Sequence, residues 1–171
     1  ALGVGADGEK RLLTLRLAPS EANANWGAVL TDLQRRGLPT PRLVVVDGHQ
    51  GLGKALDNWS GTKIQRCTVH KLRNLLDACP AHARGEMKRD YHRITNAKDG
   101  LAAREAYEAF LGKWSRLCAP VARSLEEAGE ALLTFYECPK ALWGSLRSTN
   151  SIENLNREFR RRTKTQASFG T

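Results

Sequence analysis

Apolar and polar residues alternate from Leu12 to Leu17, behind an Asp7-Gly8 turn that follows a largely apolar opening from Ala1 to Ala6. Alternation at period two marks a strand with one buried face, so the first twenty residues predict an antiparallel hairpin with Leu13, Leu15 and Leu17 on one side. Ser20 can then cap a helix that carries Trp26, Val29, Leu30 and Leu33 on one face and stops at Gly37 and Pro39. The run Arg42 to Asp47, RLVVVD, is continuously apolar before its acid and predicts a strand buried on both faces. Gln50 to Trp59 predicts a second helix and Lys63 to Val69 another strand. From Lys71 to Tyr136 the strand pattern disappears, and Val121, Leu125, Ala128, Leu132 and Phe135 mark one of several helices. Near the end, Ile152, Leu155 and Phe159 recur at steps of three and four behind an Asn150-Ser151 cap, the pattern of a short amphipathic helix. Strand, helix, strand, helix, strand is an α/β order with a hairpin at one side, and a helical block separates it from the terminal helix.

A second stripe runs along that terminal helix: Glu153, Arg157, Arg160 and Lys164 share the same spacing, one acid heading a row of bases. Asn150 and Glu153 approximate a capping box, and Glu153 with Arg157 is an ordinary ion pair of about 0.3 to 0.5 kcal/mol. Both readings are purely structural and need no ligand. Charge alters the balance. Lys and Arg number 27 against 18 acids, a formal net charge of +9 with pI near 9.8, which favours an anionic polymer as partner. DNA, RNA and an acidic membrane all satisfy that condition. Arg147, Arg157, Arg160, Arg161 and Lys164, with Arg162, outnumber the acids of the segment, so phosphate contacts that ignore sequence are expected there.

No apolar run has the length to cross a bilayer and no charged-then-apolar leader opens the chain, so the expectation is a soluble, intracellular protein without a membrane role. The four cysteines are then expected to be reduced. Ala1 stands where an initiator Met would, which suggests a piece cut inside a sheet.

Asp47 sits where open α/β sheets place their functional crevice, beyond the carboxyl end of a strand, and Gly48 lets backbone approach a ligand. Capping the following helix is the bland alternative. Asp47 and Glu153 together, on separate elements among bases, are what metal-assisted phosphoryl transfer requires, since hard Mg²⁺ ions prefer oxygen ligands. A third carboxylate is wanting: Asp7 falls in a turn and Asp57 late in a helix. Cys67-x-x-His70 and Cys79-x-x-His82 repeat a spacing that permits a Cys₂His₂ zinc site, although an intervening helix and Pro80 oppose it. His49, in the Asp-Gly-His turn, could contact phosphate or be a solvated loop residue. His92, Cys118 and Cys138 have no motif around them, and the four tryptophans are expected mainly to pack the core.

Three ordered strings, VVVDGHQGL, QRCTVHKLRNLL and FYECPKALWGSLRSTNSIENLNREFRRRTK, resemble the transposase domain of bacterial insertion sequences of the Mutator type, over nearly the whole chain. The resemblance implies a ribonuclease-H-like fold: a mixed sheet with flanking helices and an all-helical insertion before the last catalytic helix. On that basis residues 1–70 form the α/β core, truncated at its start, 71–138 the insertion, and 139–171 the returning catalytic segment. It implies an Asp-Asp-Glu triad that binds two divalent ions, Mg²⁺ or Mn²⁺, and cuts and joins double-stranded DNA at transposon ends and target. Asp47 becomes the second acid and Glu153 the third, while the first would precede Ala1, leaving this chain inactive alone. Cys67 and His70 match a C-x-x-H signature near the active site. A homo-oligomer in the synaptic complex and a bacterial cytoplasmic, nucleoid-associated location are also implied. A non-catalytic nucleic-acid-binding remnant and a zinc-stabilised binding module stand as the alternatives.

Overall fold

A computed structural model of the chain describes residues 1–15, 23–48, 52, 55, 56 and 59–163. Strands β1 (Leu2–Val4) and β2 (Lys10–Leu12) pair antiparallel, Leu2 opposite Leu12 and Val4 opposite Lys10. Asp7 is a turn residue, its Oδ1 accepting the Glu9 amide at 2.9 Å beside Gly8 at φ 84°. The hairpin is displaced from the one that the alternation predicts. β2 begins at Lys10, every residue in it is exposed, and Leu12 and Leu15 are each 55% exposed. A two-stranded ribbon offers its side chains little second layer, so alternation alone does not bury them. Leu17 and the proposed Ser20 cap lie outside the described residues.

Helix α1 (Asn23–Arg35) buries Leu30 and Leu33. It ends as Gly37 predicts: with φ 88°, Gly37 donates to the Gln34 carbonyl and Leu38 to that of Leu33, the double bond of a Schellman cap. β3 (Leu43–Val46) and β4 (Lys63–Arg66) run parallel, Leu43 opposite Lys63 and Val46 opposite Arg66. Only Val46 of β3 is fully buried, so the strand is less enclosed than its apolar run suggests. Leu30, Val46, Ala55, Leu56 and Trp59 form the small core here. β4 stops three residues short of Val69, because helix α2 (Thr68–Ala78) starts there and takes Val69 into its first turn. The described strands make two separate pairs, so the chain is α/β and predominantly helical, without a single continuous mixed sheet among the described residues.

α2, α3 (Arg84–Thr95), α4 (Gly100–Leu117) and α5 (Ala119–Ala128) enclose a second, larger core of Leu75, Met87, Tyr91, Ile94, Phe110, Trp114, Val121 and Leu125. α4 is capped by Asp99, which accepts the Ala102 amide at 2.8 Å. The predicted stripe from Val121 to Phe135 is buried throughout, but it is not one helix. Gly129, at φ 52°, ends α5, and Leu132 and Phe135 fall in successive 3₁₀ turns, Gly129–Leu132 and Thr134–Glu137. One helical turn, α6 (Trp143–Leu146), and the terminal helix α7 (Asn150–Thr163) follow. Trp143 packs edge-on against Phe135 and Tyr136 and donates to the Cys138 carbonyl at 2.9 Å. No helix among the described residues is long and apolar enough to cross a membrane.

Two polar joints fix the helical block to the strands. Gln65 is fully buried on β4; its amide nitrogen donates to the Leu132 carbonyl at 2.9 Å and its oxygen accepts the Phe135 N–H at 2.7 Å. Arg66 and Lys71 both donate to Glu127 of α5, at 2.7 and 2.6 Å.

Candidate active site at the carboxyl end of the parallel strands

Asp47 follows β3 directly and is exposed at the carboxyl end of the β3–β4 pair. Its level on the neighbouring strand is Cys67, whose N–H donates to the Val46 carbonyl at 2.7 Å. Gly48 adopts φ 108°, and a Cβ there would lie 2.3 Å from Arg66 Nη2. The Arg66 guanidinium therefore occupies the space above Gly48, whose own backbone conformation favours glycine.

The start of α7 reaches the same end of the sheet. Thr149 is its N-cap, its carbonyl accepting the Ile152 and Glu153 amides at 2.9 and 3.1 Å. The cap expected at Asn150 is thus one residue late, and the capping box does not form: the Thr149 N–H donates to Cys67 Sγ at 3.4 Å, and Glu153 Oε1 lies 3.0 Å from the Thr149 hydroxyl. Nor is Arg157 the recorded partner of Glu153. Arg157 donates to Asn154 Oδ1 at 3.0 Å, whereas Glu153 has His70 Nδ1 at 3.7 Å and Arg73 Nη2 at 3.6 Å, both from α2. Long-range packing has replaced the local pairs, since α2 brings two basic groups across to the head of α7.

Cys67 is 1% exposed and serves as an acceptor inside this cluster. The two C-x-x-H pairs do not converge. Cys67 and Cys79 flank opposite ends of α2, whose eleven residues span about 16 Å, while a zinc site needs its sulfurs on one ion at about 2.3 Å. Among the described residues no three His, Cys, Asp or Glu side chains group to hold a metal ion. The two pairs therefore do not close on one tetrahedral zinc ion.

Arg147 is tied into the scaffold. Its carbonyl accepts both the amide and the hydroxyl of Thr68 at 2.9 Å, and its guanidinium donates to Asn96 Oδ1 at 2.9 Å and the Thr95 carbonyl at 3.4 Å, closing the end of α3. Nearby His92 is shifted below the ordinary histidine value by burial first and then by Lys88 and Arg147. Arg157, Arg160 and Arg161 are exposed on α7, Arg161 pairing with Glu158 at 2.9 Å. Lys10 of β2 donates to Ser151 at 2.9 Å, which fastens the hairpin to the head of α7. His49 and Lys164 lie outside the described residues.

A family model described as "Transposase, Mutator family" matches residues 1–171, the whole chain. The chain belongs to the Mutator family of transposases. Among curated relatives, this transposase chain is 37% identical over 170 residues to the transposase for insertion sequence element IS905 of Lactococcus lactis, covering 99% of the chain and 43% of the relative. It is 36% identical over 169 residues to that for element ISRM5 of Rhizobium meliloti (95% and 41%), and 35% identical over 164 residues to that for element IST2 of Acidithiobacillus ferrooxidans (95% and 55%). It therefore spans about half the length of these relatives or less.

Two residues of the candidate site carry no motif of their own in the sequence. Thr149 stands four residues before Glu153, and Arg73 three residues after His70 on the same helix. Helical spacing was the available signal for both, but it does not say that α2 and α7 meet.

Proposed function

We propose that this chain is the catalytic portion of a DNA transposase that cuts and joins strands by two-metal phosphoryl transfer, moving an insertion sequence. One observation carries the reading: Cys67 and Thr149 link the head of α7 to the carboxyl end of the β3–β4 pair, bringing Glu153 to the end of the sheet where Asp47 emerges. The functional crevice of open α/β sheets lies at that end. The two carboxylates are hard oxygen donors on separate elements, a donor set that fits Mg²⁺ or Mn²⁺. Asp47 and Glu153 would hold the ions, which when bound polarise the scissile phosphate and generate the attacking oxygen.

The remaining roles follow from position. Arg73 and His70 flank Glu153, and the Arg73 guanidinium offsets its charge near incoming phosphate. Arg157, Arg160 and Arg161 offer a basic face to the DNA backbone, and Arg147 borders the site; phosphate contacts are also expected of His49 and Lys164, which lie outside the described residues. Double-stranded DNA of the element ends and target is the substrate of this reading, and a homo-oligomer holds two ends together. A parallel pair ending in an acid, an all-helical insertion, and a returning helix with the last acid support a ribonuclease-H-like core, to which the two strand pairs would contribute.

Asp47→Asn or Glu153→Gln in the intact transposase lowers cleavage of element-end DNA by about a hundredfold or more, with DNA affinity and unfolding temperature unchanged. Retained cleavage removes these residues from the chemistry. A second reading, DNA binding without cleavage, draws on the lack of a three-carboxylate group among the described residues. Under it the wild-type protein binds DNA but neither variant alters any rate of cleavage.

A further inference from the structure

We propose that Thr149 is a positioning residue for Glu153, its hydroxyl aiming the carboxylate at the strand ends with Cys67 as the fixed point behind it. The inference rests on the reading of Glu153 as an acid of the site. A threonine at a helix N-cap ordinarily turns its side-chain oxygen to the amide of the second or third helical residue. Here the amide of the third helical residue, Ile152, goes to the Thr149 carbonyl at 2.9 Å, and the hydroxyl turns instead to the Glu153 side chain. It lies 3.0 Å from Glu153 Oε1, 3.3 Å from Cys67 Sγ and 3.4 Å from His70 Nδ1.

One hydroxyl carries one proton and cannot donate to all three. The carboxylate is the nearest and the only charged acceptor, so it takes the proton. The hydroxyl lone pairs then face Cys67 and His70, each of which can act as a donor. Thr149 itself has little freedom. Its β-branched side chain is stiff at χ1, its amide donates to Cys67 Sγ at 3.4 Å, and Cys67 is buried with its own N–H on the Val46 carbonyl. A continuous set of contacts thus runs from the residue before Asp47, through Cys67 and Thr149, to the Glu153 carboxylate. Arg73 Nη2 and His70 Nδ1, at 3.6 and 3.7 Å from Glu153, stand beyond hydrogen-bond range and do not fix the carboxylate's direction. Glu153 is otherwise a partly exposed side chain with three rotatable bonds, and the hydroxyl selects among its rotamers before any ion arrives.

Thr149→Val keeps the side chain's shape and removes the hydroxyl; Thr149→Ser keeps the hydroxyl and removes the methyl. Both are made in the intact transposase and compared with Glu153→Gln. Two quantities are measured: Mn²⁺ affinity of the DNA-free protein by calorimetric titration, and the rate of strand cleavage at saturating element-end DNA. Thr149→Val weakens each by about 10- to 100-fold with unfolding temperature and DNA affinity unchanged, while Thr149→Ser stays close to wild type. Equal losses in both variants, or wild-type Mn²⁺ affinity and cleavage in Thr149→Val, overturn the assignment. If Thr149→Val does not fold, Thr149→Ala is put to the same comparison. Glu153→Gln separates the two levels: cleavage that survives it sinks the reading of Glu153 itself, whereas loss there with no effect at Thr149 sinks only the positioning role.

Discussion

Lys71 is 2% exposed, and a buried ammonium is tolerated only where its protons are taken up. It donates to the Ser124 carbonyl at 2.7 Å and to Glu127 Oε2 at 2.6 Å, and Glu127 accepts Arg66 with its other oxygen at 2.7 Å. Burial alone would raise the Glu127 pKa; the hydrogen bonds and charges of Lys71 and Arg66 outweigh it and hold the group below its ordinary 4.5. A carboxylate with a depressed folded pKa contributes stability above its unfolded value and loses it as pH falls through the folded one. Glu127 is itself 55% exposed and solvent screens the pair, so Glu127→Gln is expected to lower stability at neutral pH by about 1 kcal/mol. Urea denaturation should show the gap between variant and wild type closing as pH falls below the ordinary value of 4.5 and through the depressed folded one. A gap that stays constant with pH would mean the effect is packing, not charge. Lys71 in the sequence is one more base on a helix, and nothing in its neighbours announces a partner 56 residues away. The position of Asp47 is legible because it directly follows a strand, whereas the contacts of Thr149 and Arg73 are not, because they depend on which helix lies opposite.

On α7 the period of the sequence was right and its local consequences were not. The helix forms where the spacing of Ile152, Leu155 and Phe159 requires, from Asn150 to Thr163, yet Leu155 is 39% and Phe159 46% exposed. Periodicity states which residues share a face, not whether another layer covers it. The same limit applies to α5, where a buried stripe continues through Gly129 into 3₁₀ turns because several backbone paths can send residues to one core. The opposite face of α7 carries the arginines. If it holds phosphates, Arg157→Ala with Arg160→Ala should flatten the dependence of DNA affinity on salt by roughly 0.9 per contact, about 2 in log–log slope for the pair. Fluorescence anisotropy across a salt series reads this directly, and an unchanged slope would show that the stripe faces solvent only.

Two hydrophobic cores make up the described molecule, a small one under β3 and a large one inside the helical block. Gln65 joins them: it is completely buried, and its side chain satisfies the Leu132 carbonyl and the Phe135 amide beyond the edge of β4. Gln65→Leu keeps the volume and orphans both groups, at about 1 to 3 kcal/mol each. Thermal unfolding followed at tryptophans of either core is expected to shift from coincident to separate transitions; Trp59 marks the small core and Trp114 the large one. Coincident transitions in the variant would locate the coupling elsewhere, with the Glu127 cluster next in line. Most of the predicted Gln50 to Trp59 helix lies outside the described residues, whereas the order of the described strands and helices, the Gly37 stop, the acid after β3 and the family to which the chain belongs are legible in the sequence alone. They depend on period, on backbone permissiveness and on motif order, which are properties of neighbours along the chain. Strand limits, the buried Gln65 and Lys71, the separation of the two C-x-x-H pairs and the transfer of Glu153 from Arg157 to Thr149, His70 and Arg73 were decided by tertiary structure. Each of these turns on which groups meet across elements, and hydrogen bonds and charge pairs act over a few ångströms of space whatever their distance in sequence.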